Sequence, residues 1–192
     1  MIKIVRSEQP SWLAENWERW GLEYEEQKAG GQAFSWIKEG TDVRAELLTP
    51  LRAMTSDHCS YCDGFPMESM LGDTIDHFRP KSKFPKDAFK WVNLFLCCYN
   101  CQKRVNEFEV LLINPDNIEY EFNLFFVYNT ESGELEPNTH SSAENQERAK
   151  YTIRIFKLNQ FNRPNARKMF FRKFAKDKAA ILEEYPYRFL YS

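Results

Sequence analysis

The chain has 192 residues, with 26 Lys and Arg against 28 Asp and Glu, so its formal net charge is −2. Its hydrophobic share of 43% excludes a disordered chain, and its length predicts one core domain, alone or with an appendage. The low glycine count, 7, argues against a glycine-rich phosphate-binding loop. No apolar run reaches about 18 residues and no signal-peptide pattern begins the chain, so we expect a cytoplasmic protein that does not associate with membranes.

Residues 1–56 are predicted to form an N-terminal helical region. A first helix is expected over residues 11–28, with Ser11 as its N-cap, and a second from about residue 42 to 56. Pro50 lies inside the second helix and predicts a kink or a split there. Four tryptophans of this region form either a partner-docking surface or a satellite core: Trp12, Trp17, Trp20 and Trp36.

Residues 57–108 contain all five cysteines, four of them in two C-x2-C pairs. The pairs are Cys59/Cys62 and Cys98/Cys101, and they are separated by 35 residues. Two such turns can supply four sulfur ligands in a tetrahedron, which favours a structural zinc ion. Cys97 is the fifth thiol, and its x3 spacing from Cys101 favours Cys98 over it as the ligand.

An acid and a histidine lie side by side between the cysteine pairs. His77 has the ordinary pKa of a general base for hydrolysis at neutral pH, and Asp76 is a hard oxygen ligand suited to Mg2+ or Mn2+. Because adjacent residues of a strand point to opposite faces, we expect a bend or a strand end at this position. Basic side chains around the pair are predicted to line a nucleic-acid cleft: Arg79, Lys81, Lys83, Lys103 and Arg104.

Residues 109–192 are predicted to form a strand hairpin followed by basic helices on the same core. The segments from Val110 to Ile113 and from Phe122 to Tyr128 have strand-like composition, and residues 131–134 indicate a turn. A helix is expected from about residue 144, and the Asn162-Arg163-Pro164 sequence predicts a break before the last long helix.

The last helix is predicted to turn its apolar residues inward and its basic residues, including Arg167, outward. The apolar set is Phe170, Phe171, Phe174, Ile181, Leu182 and Tyr185. Residues 148–178 carry eleven bases and one acid, whereas residues 107–147 carry ten acids and no Lys or Arg. These charges either neutralise each other across the fold or present part of the basic segment to phosphates.

The central segment resembles the HNH endonuclease family. The family pattern of two C-x2-C pairs that flank Asp-His-x-x-Pro-x-Ser and Asn-Leu is matched by Cys59/Cys62, residues 76–82, Asn93-Leu94 and Cys98/Cys101. Residues 43–62 together with residues 76–82 look more narrowly like the PtuB-like HNH component of the Septu anti-phage system and its retron-associated relatives.

The resemblance implies an α+β fold in which a small ββα-metal module with structural zinc is embedded in an α-helical frame. It implies a metal-dependent endonuclease, with DNA as the first substrate and 5′-phosphate and 3′-hydroxyl products. It also implies a partner, a PtuA-like ABC-type ATPase of the same defence system. Asn93 would tie the hairpin loop to the helix and orient His77.

One position departs from the family pattern. Gln102 stands where the family places His or Asn as the second ligand of the catalytic Mg2+ or Mn2+ beside Asp76, and Asn106 or Glu107 could substitute for it. Two alternatives therefore stay open: a zinc-stapled subunit that binds nucleic acid or assembles a complex without cutting, and a nuclease that acts on RNA such as tRNA.

Overall fold

The structure is a computed structural model that describes residues 1–69, 72–104, 108–177 and 179–191. Asn106 and Glu107, the alternative metal ligands named above, lie outside the described residues. The described α-helices, in chain order, are α1 (Ser11–Ala14), α2 (Trp17–Ala29), α3 (Val43–Thr55), α4 (Tyr99–Gln102), α5 (Phe122–Phe125), α6 (Ala143–Ile155) and α7 (Arg163–Phe174). The described strands are β1 (Ile37–Lys38), β2 (Thr41–Asp42), β3 (Asp73–His77), β4 (Leu94–Cys98), β5 (Phe126–Tyr128) and β6 (Leu135–Pro137).

The strands pair as three small antiparallel sheets, β1 with β2, β3 with β4, and β5 with β6. In the central pair Asp73 lies opposite Cys98 and His77 lies opposite Leu94. All five residues of β4 are buried, and α4 begins directly after it. The mixed content with small antiparallel sheets confirms the α+β class, whereas the HNH identity of the central segment stays a prediction.

One hydrophobic cluster draws residues from all three predicted regions of the chain. It includes Leu13 and Leu47 from the N-terminal region, Phe95 from the centre, and Phe126 and Phe189 from the C-terminal region. Long-range backbone hydrogen bonds reinforce this packing, such as the one from the amide of Ile4 to the carbonyl of Pro115. Among the described residues, none of the helices has both the length and the apolar character of a membrane span.

Helix α3 confirms the second predicted helix and shows how the chain tolerates its proline. The Asp42 carboxylate caps the helix by accepting from the backbone amides of Arg44 and Ala45. Its buried face includes Val43, Leu47 and Leu51, and the helix runs through Pro50 without ending. The predicted split does not occur because burial of this face outweighs the one backbone hydrogen bond that proline removes.

The first predicted helix is corrected in two respects. The helical segment is divided into α1 and α2, with Glu15 and Asn16 between them, and Ser11 is the first helical residue instead of the N-cap. Pro10 occupies the N-cap position and offers no side-chain cap. Leu13 on α1 and Trp20 on α2 are both buried, so both helices contribute to the core.

The strand prediction for Val110 to Ile113 is wrong, because this segment forms a turn. The Ile113 amide donates to the Thr152 hydroxyl on α6, so this amide is satisfied without a sheet partner. The segment Phe122 to Tyr128 is a strand only in its second half, since α5 occupies the first half. The predicted turn at residues 131–134 and the helix near residue 144 are confirmed.

The last helix begins as predicted at Arg163 with Pro164 in its first turn, but it ends at Phe174. Ile181, Leu182 and Tyr185 therefore do not lie on it, and Ile181 is exposed. Arg167 was expected to point outward, yet it is fully buried. Its guanidinium donates to the carbonyls of Gly133 and Leu158, which need a donor away from water, so the cation serves as a buried hydrogen-bonding group.

Candidate functional site

The four predicted sulfur ligands converge on one point in the core. The Sγ atoms of Cys59, Cys62, Cys98 and Cys101 all lie within 4.8 Å of one another, and each residue is at most 1% exposed. The Cys98 amide donates to the Cys59 sulfur at 3.4 Å, which joins the two turns. Cys97 lies outside the group, and its sulfur contacts the Thr74 hydroxyl at 3.4 Å.

The donor set fits a structural zinc ion. Four buried sulfurs with two residues between the members of each pair are typical of closed tetrahedral zinc sites. Burial raises the pKa of the Cys59 and Cys101 thiols, whereas hydrogen bonds from Cys101 and Cys59 lower the pKa of the Cys62 thiol. A divalent cation would lower the pKa of all four thiols, because it binds each sulfur as a thiolate.

Arg163 lies beside the cysteine cluster as a fixed positive charge. Its Nη2 atom donates to the Cys101 sulfur at 3.2 Å and to the Cys98 sulfur at 3.7 Å, and its Nη1 atom donates to the carbonyls of Phe156 and Lys157. Burial disfavours the charged form of Arg163 and by itself lowers its pKa. The negative charge of the nearby cysteine sulfurs, that of Cys101 first, outweighs this effect and raises the pKa above its ordinary value. An arginine in this place offsets part of the negative charge that four thiolates bring to one zinc ion.

Asp76, on β3, is held by two donors that share one oxygen. Its Oδ2 atom accepts from the Tyr61 hydroxyl at 2.7 Å and from Nη2 of Arg104 at 2.7 Å. Tyr61 lies inside the first cysteine pair, so the turn that could hold zinc also supplies a contact to Asp76. Arg104 donates further to the carbonyls of His77 and Phe78 at 2.6 and 2.8 Å, and its side chain is 2% exposed.

His77 is the last residue of β3 and is held on both sides of its ring. Trp36 stacks on the imidazole with 5.3 Å between ring centroids, and Phe34 meets it edge-on at 5.4 Å. The Nε2–H group donates to the Ala88 carbonyl at 2.9 Å, because a carbonyl can only accept, and this leaves Nδ1 as the nitrogen with the lone pair. Burial, with Lys81 and Arg104 nearby, lowers the His77 pKa to about 3, so the ring is neutral at pH 7.

Asn93 fastens the loop between β3 and β4. Its Oδ1 atom accepts from the Arg79 amide at 2.7 Å, and its Nδ2 atom donates to the carbonyls of Arg79 and Asp87. The residue after Asp87 is Ala88, whose carbonyl holds the His77 ring. Asn93 therefore holds the loop that carries the hydrogen-bond acceptor of the His77 ring, and its role in orienting His77 stays a prediction.

Six of the predicted site residues line one open cavity of about 320 Å³, which we call the site cavity. They are Asp76, His77, Lys81, Gln102, Lys103 and Arg104. Pro80 and Tyr99 complete its lining. Of the remaining predicted cations, Arg79 forms an ion pair with Asp87 at 2.6 Å and Lys83 is exposed, and neither lines this cavity.

The predicted Mg2+ or Mn2+ site on Asp76 and Gln102 fits the described residues poorly. The Asp76 carboxylate already carries the Arg104 guanidinium and the Tyr61 hydroxyl on one oxygen. The Gln102 side chain donates to the Ile75 carbonyl at 3.3 Å, so its amide is oriented by the strand backbone. With Lys81 and Lys103 also in the cavity, a divalent cation would meet three positive charges and one carboxylate.

Sequence reasoning missed three residues that shape this site: Tyr61, Arg163 and Trp36. Tyr61 lies within a recognised motif, but nothing in a C-x2-C pair indicates where the middle side chain points. Arg163 and Trp36 lie far from the motifs in sequence, and Trp36 was interpreted only as docking surface or core. Trp20 is 5% exposed and the other three tryptophans of that set pack on the core, which favours the core interpretation.

Comparison with known proteins does not assign the chain to a family. No protein-family model matches the sequence, and no curated protein matches it. What can be stated from the geometry is the class of site: a buried cluster of four cysteines that can hold zinc, next to an open cationic cavity with a histidine in its wall.

Proposed function

We propose that this protein is an HNH-type endonuclease that hydrolyses phosphodiester bonds of nucleic acid, DNA in the first place, with His77 as the general base. The observation that carries the proposal is the convergence of Asp76, His77 and three cations on one open cavity beside the cysteine cluster. A neutral imidazole next to positive charges suits phosphodiester hydrolysis, since water must lose a proton while the phosphate gains charge.

The reaction can be written with this chain's own groups. A water oxygen forms the bond to phosphorus, the bond from phosphorus to the leaving 3′ oxygen breaks, and the water proton passes to Nδ1 of His77. The leaving oxygen takes a proton from solvent. The low pKa of His77 makes it a weak base, but a phosphate anion in the cavity favours the imidazolium and raises that pKa.

A second basic surface supports nucleic acid as the substrate. Lys168, Arg172 and Lys173 on α7 and Lys176 just beyond its end, which we call the α7 cations, line a shallow depression of about 540 Å³ together with Asn165 and Met169. Arg172, Lys173 and Lys176 are exposed, and exposed cations grouped in this way are suited to successive phosphates. In the choice between mutual neutralisation and phosphate binding, this geometry favours phosphate binding for the α7 cations.

A second candidate function is nucleic-acid binding without cleavage, as a zinc-stapled subunit. The ion pair between Arg104 and Asp76 favours this second function, because the HNH nucleases that the sequence resembles use that carboxylate to bind a catalytic metal ion. The basic cavity and the α7 surface serve this function equally well. RNA, including tRNA, is the alternative substrate in either case.

We also propose, on the sequence resemblance alone, that the protein works in the cytoplasm in an anti-phage complex with an ABC-type ATPase. The chain itself has few glycines and no phosphate-binding loop motif, so ATP dependence would come from that partner. Copurification of the tagged protein with the product of its neighbouring gene tests this assignment.

Plasmid nicking tests the enzymatic proposal. We expect the wild type, alone or with its partner, to convert supercoiled plasmid to open circles, and His77→Ala to lose at least about a hundredfold of the rate. His140→Ala is the matched control, since His140 is exposed and does not line the cavity. Equal nicking by wild type and His77→Ala, or none by either on DNA and RNA, would remove the nuclease assignment.

A further inference from the structure

The charges in the site cavity point to a mode of phosphate binding that differs from metal-dependent catalysis. Three cations and one carboxylate line the cavity: Lys81, Lys103, Arg104 and Asp76. Their formal sum is +2 before any ligand enters. A cavity with this balance attracts an anion and repels a further cation.

The Arg104 side chain is held in this cavity by hydrogen bonds to residues at the end of β3. It donates to the Asp76 carboxylate and to the carbonyls of His77 and Phe78, so its guanidinium bridges three consecutive residues at the strand end. The side chain is 2% exposed, and replacing these bonds would leave buried acceptors unpaired. The Arg104 guanidinium, ion-paired with Asp76, therefore lies beside His77 without any uptake of an ion.

Lys81 adds a second positive charge, and its ammonium group packs against an aromatic ring. Its ammonium lies 4.9 Å from the centre of the Phe34 ring, the same ring that meets His77 edge-on. Burial lowers the pKa of Lys81 and the Asp76 carboxylate opposes this effect. A partly desolvated ammonium gains more from an arriving phosphate than an exposed one does, because less water must be displaced.

We propose that the site cavity takes up a nucleic-acid phosphate without a divalent cation on Asp76, and that Arg104 with Lys81 supplies the positive charge beside His77. The inference rests on the proposed function for its substrate class, but not on cleavage. It differs from the expectation of Mg2+ or Mn2+ on Asp76 and Gln102, and the reason is the guanidinium already bound to that carboxylate.

The test measures binding and cleavage separately. Zinc-loaded protein is treated with EDTA, its retained zinc is measured, and a fluorescein-labelled DNA duplex is titrated by fluorescence anisotropy with and without Mg2+. We expect equal affinity in both conditions and about tenfold weaker binding by Lys81→Gln/Lys103→Gln. Lys28→Gln/Lys150→Gln is the control, because both lysines are exposed and neither lines the cavity.

Mn2+ titration followed by electron paramagnetic resonance supplies the metal arm. A single Mn2+ site in the wild type that Gln102→Ala abolishes would overturn the inference, and so would equal binding of duplex by Lys81→Gln/Lys103→Gln and by Lys28→Gln/Lys150→Gln. Nicking in EDTA supports it, whereas nicking only with Mg2+ or Mn2+ overturns it and leaves the nuclease proposal standing. Metal-independent binding through the cavity with no nicking in any condition supports the inference and removes the nuclease proposal.

Discussion

The hydroxyl of Tyr61 donates a 2.7 Å hydrogen bond to the carboxylate of Asp76. Tyr61 lies between Cys59 and Cys62, so the turn that can hold zinc also holds the acid of the candidate site. Its ring stacks on Phe156 with 3.9 Å between centroids, which fixes its direction. Burial, with the Asp76 charge beside it, raises the pKa of Tyr61 well above its ordinary value, so it stays a donor.

Replacing Tyr61 by Phe is expected to loosen Asp76 without disturbing the cysteine cluster. The lost hydrogen bond to a charged group should lower the free energy of unfolding by about 1.5 kcal/mol, as measured by urea denaturation. Zinc content should not change, while duplex affinity or nicking falls. Tyr99→Phe serves as control because Tyr99 lines the same cavity but is 46% exposed. Equal effects of the two substitutions would contradict the role given to the Tyr61 hydroxyl.

The cysteine cluster is expected to carry about one zinc per chain, measured by elemental analysis of the purified protein. Cys59→Ser or Cys101→Ser should yield metal-poor, insoluble or unfolded protein. Cys97→Ser should keep its zinc, because the Cys97 sulfur lies outside the cluster although it is equally buried. A zinc-free wild type that melts cooperatively at the same temperature as the loaded protein would refute a structural role for the metal.

Gly21 permits helix α2 to approach the loop that carries Ala88. A Cβ atom at this position would lie 2.3 Å from the Lys86 carbonyl oxygen, a backbone atom that cannot rotate away. Gly21→Ala should therefore destabilise the protein by about 1 to 3 kcal/mol and displace the loop that orients His77.

The matched control is Gly30→Ala, where the nearest atom is 3.4 Å from the added carbon. Thermal unfolding compares their stability, and the histidine resonances in NMR spectra report on the His77 ring. A Gly21→Ala protein as stable as Gly30→Ala, with unchanged histidine signals, would show that the close approach has no structural consequence.

The α7 cations are expected to contribute to affinity in a salt-dependent manner. Arg172→Glu/Lys176→Glu should weaken duplex binding by about tenfold at low salt and flatten the dependence of affinity on salt concentration. The control variant Lys28→Glu/Lys150→Glu reverses the same number of charges at exposed positions of α2 and α6. If both double variants bind equally, net charge alone would account for the effect and α7 would not be a binding surface.

The local patterns of the sequence determined much of the scaffold. The x2 spacing of the two cysteine pairs indicated the four sulfurs that converge, and the x3 spacing correctly set Cys97 apart. The apolar periodicity that begins at Val43 predicted α3, and the Asn162-Arg163-Pro164 sequence predicted where α7 starts. These signals succeed because zinc geometry, helical periodicity and proline act over a few neighbouring residues.

Only the tertiary structure decided the electrostatics of the site. Arg104 and Arg167 have the sequence appearance of surface cations, yet both are buried against acceptors from distant segments. Trp36 acquired its place over His77 through a contact across 41 positions of sequence. The direction and ionic partner of a long side chain depend on which surfaces the fold brings together, and no local pattern contains that information.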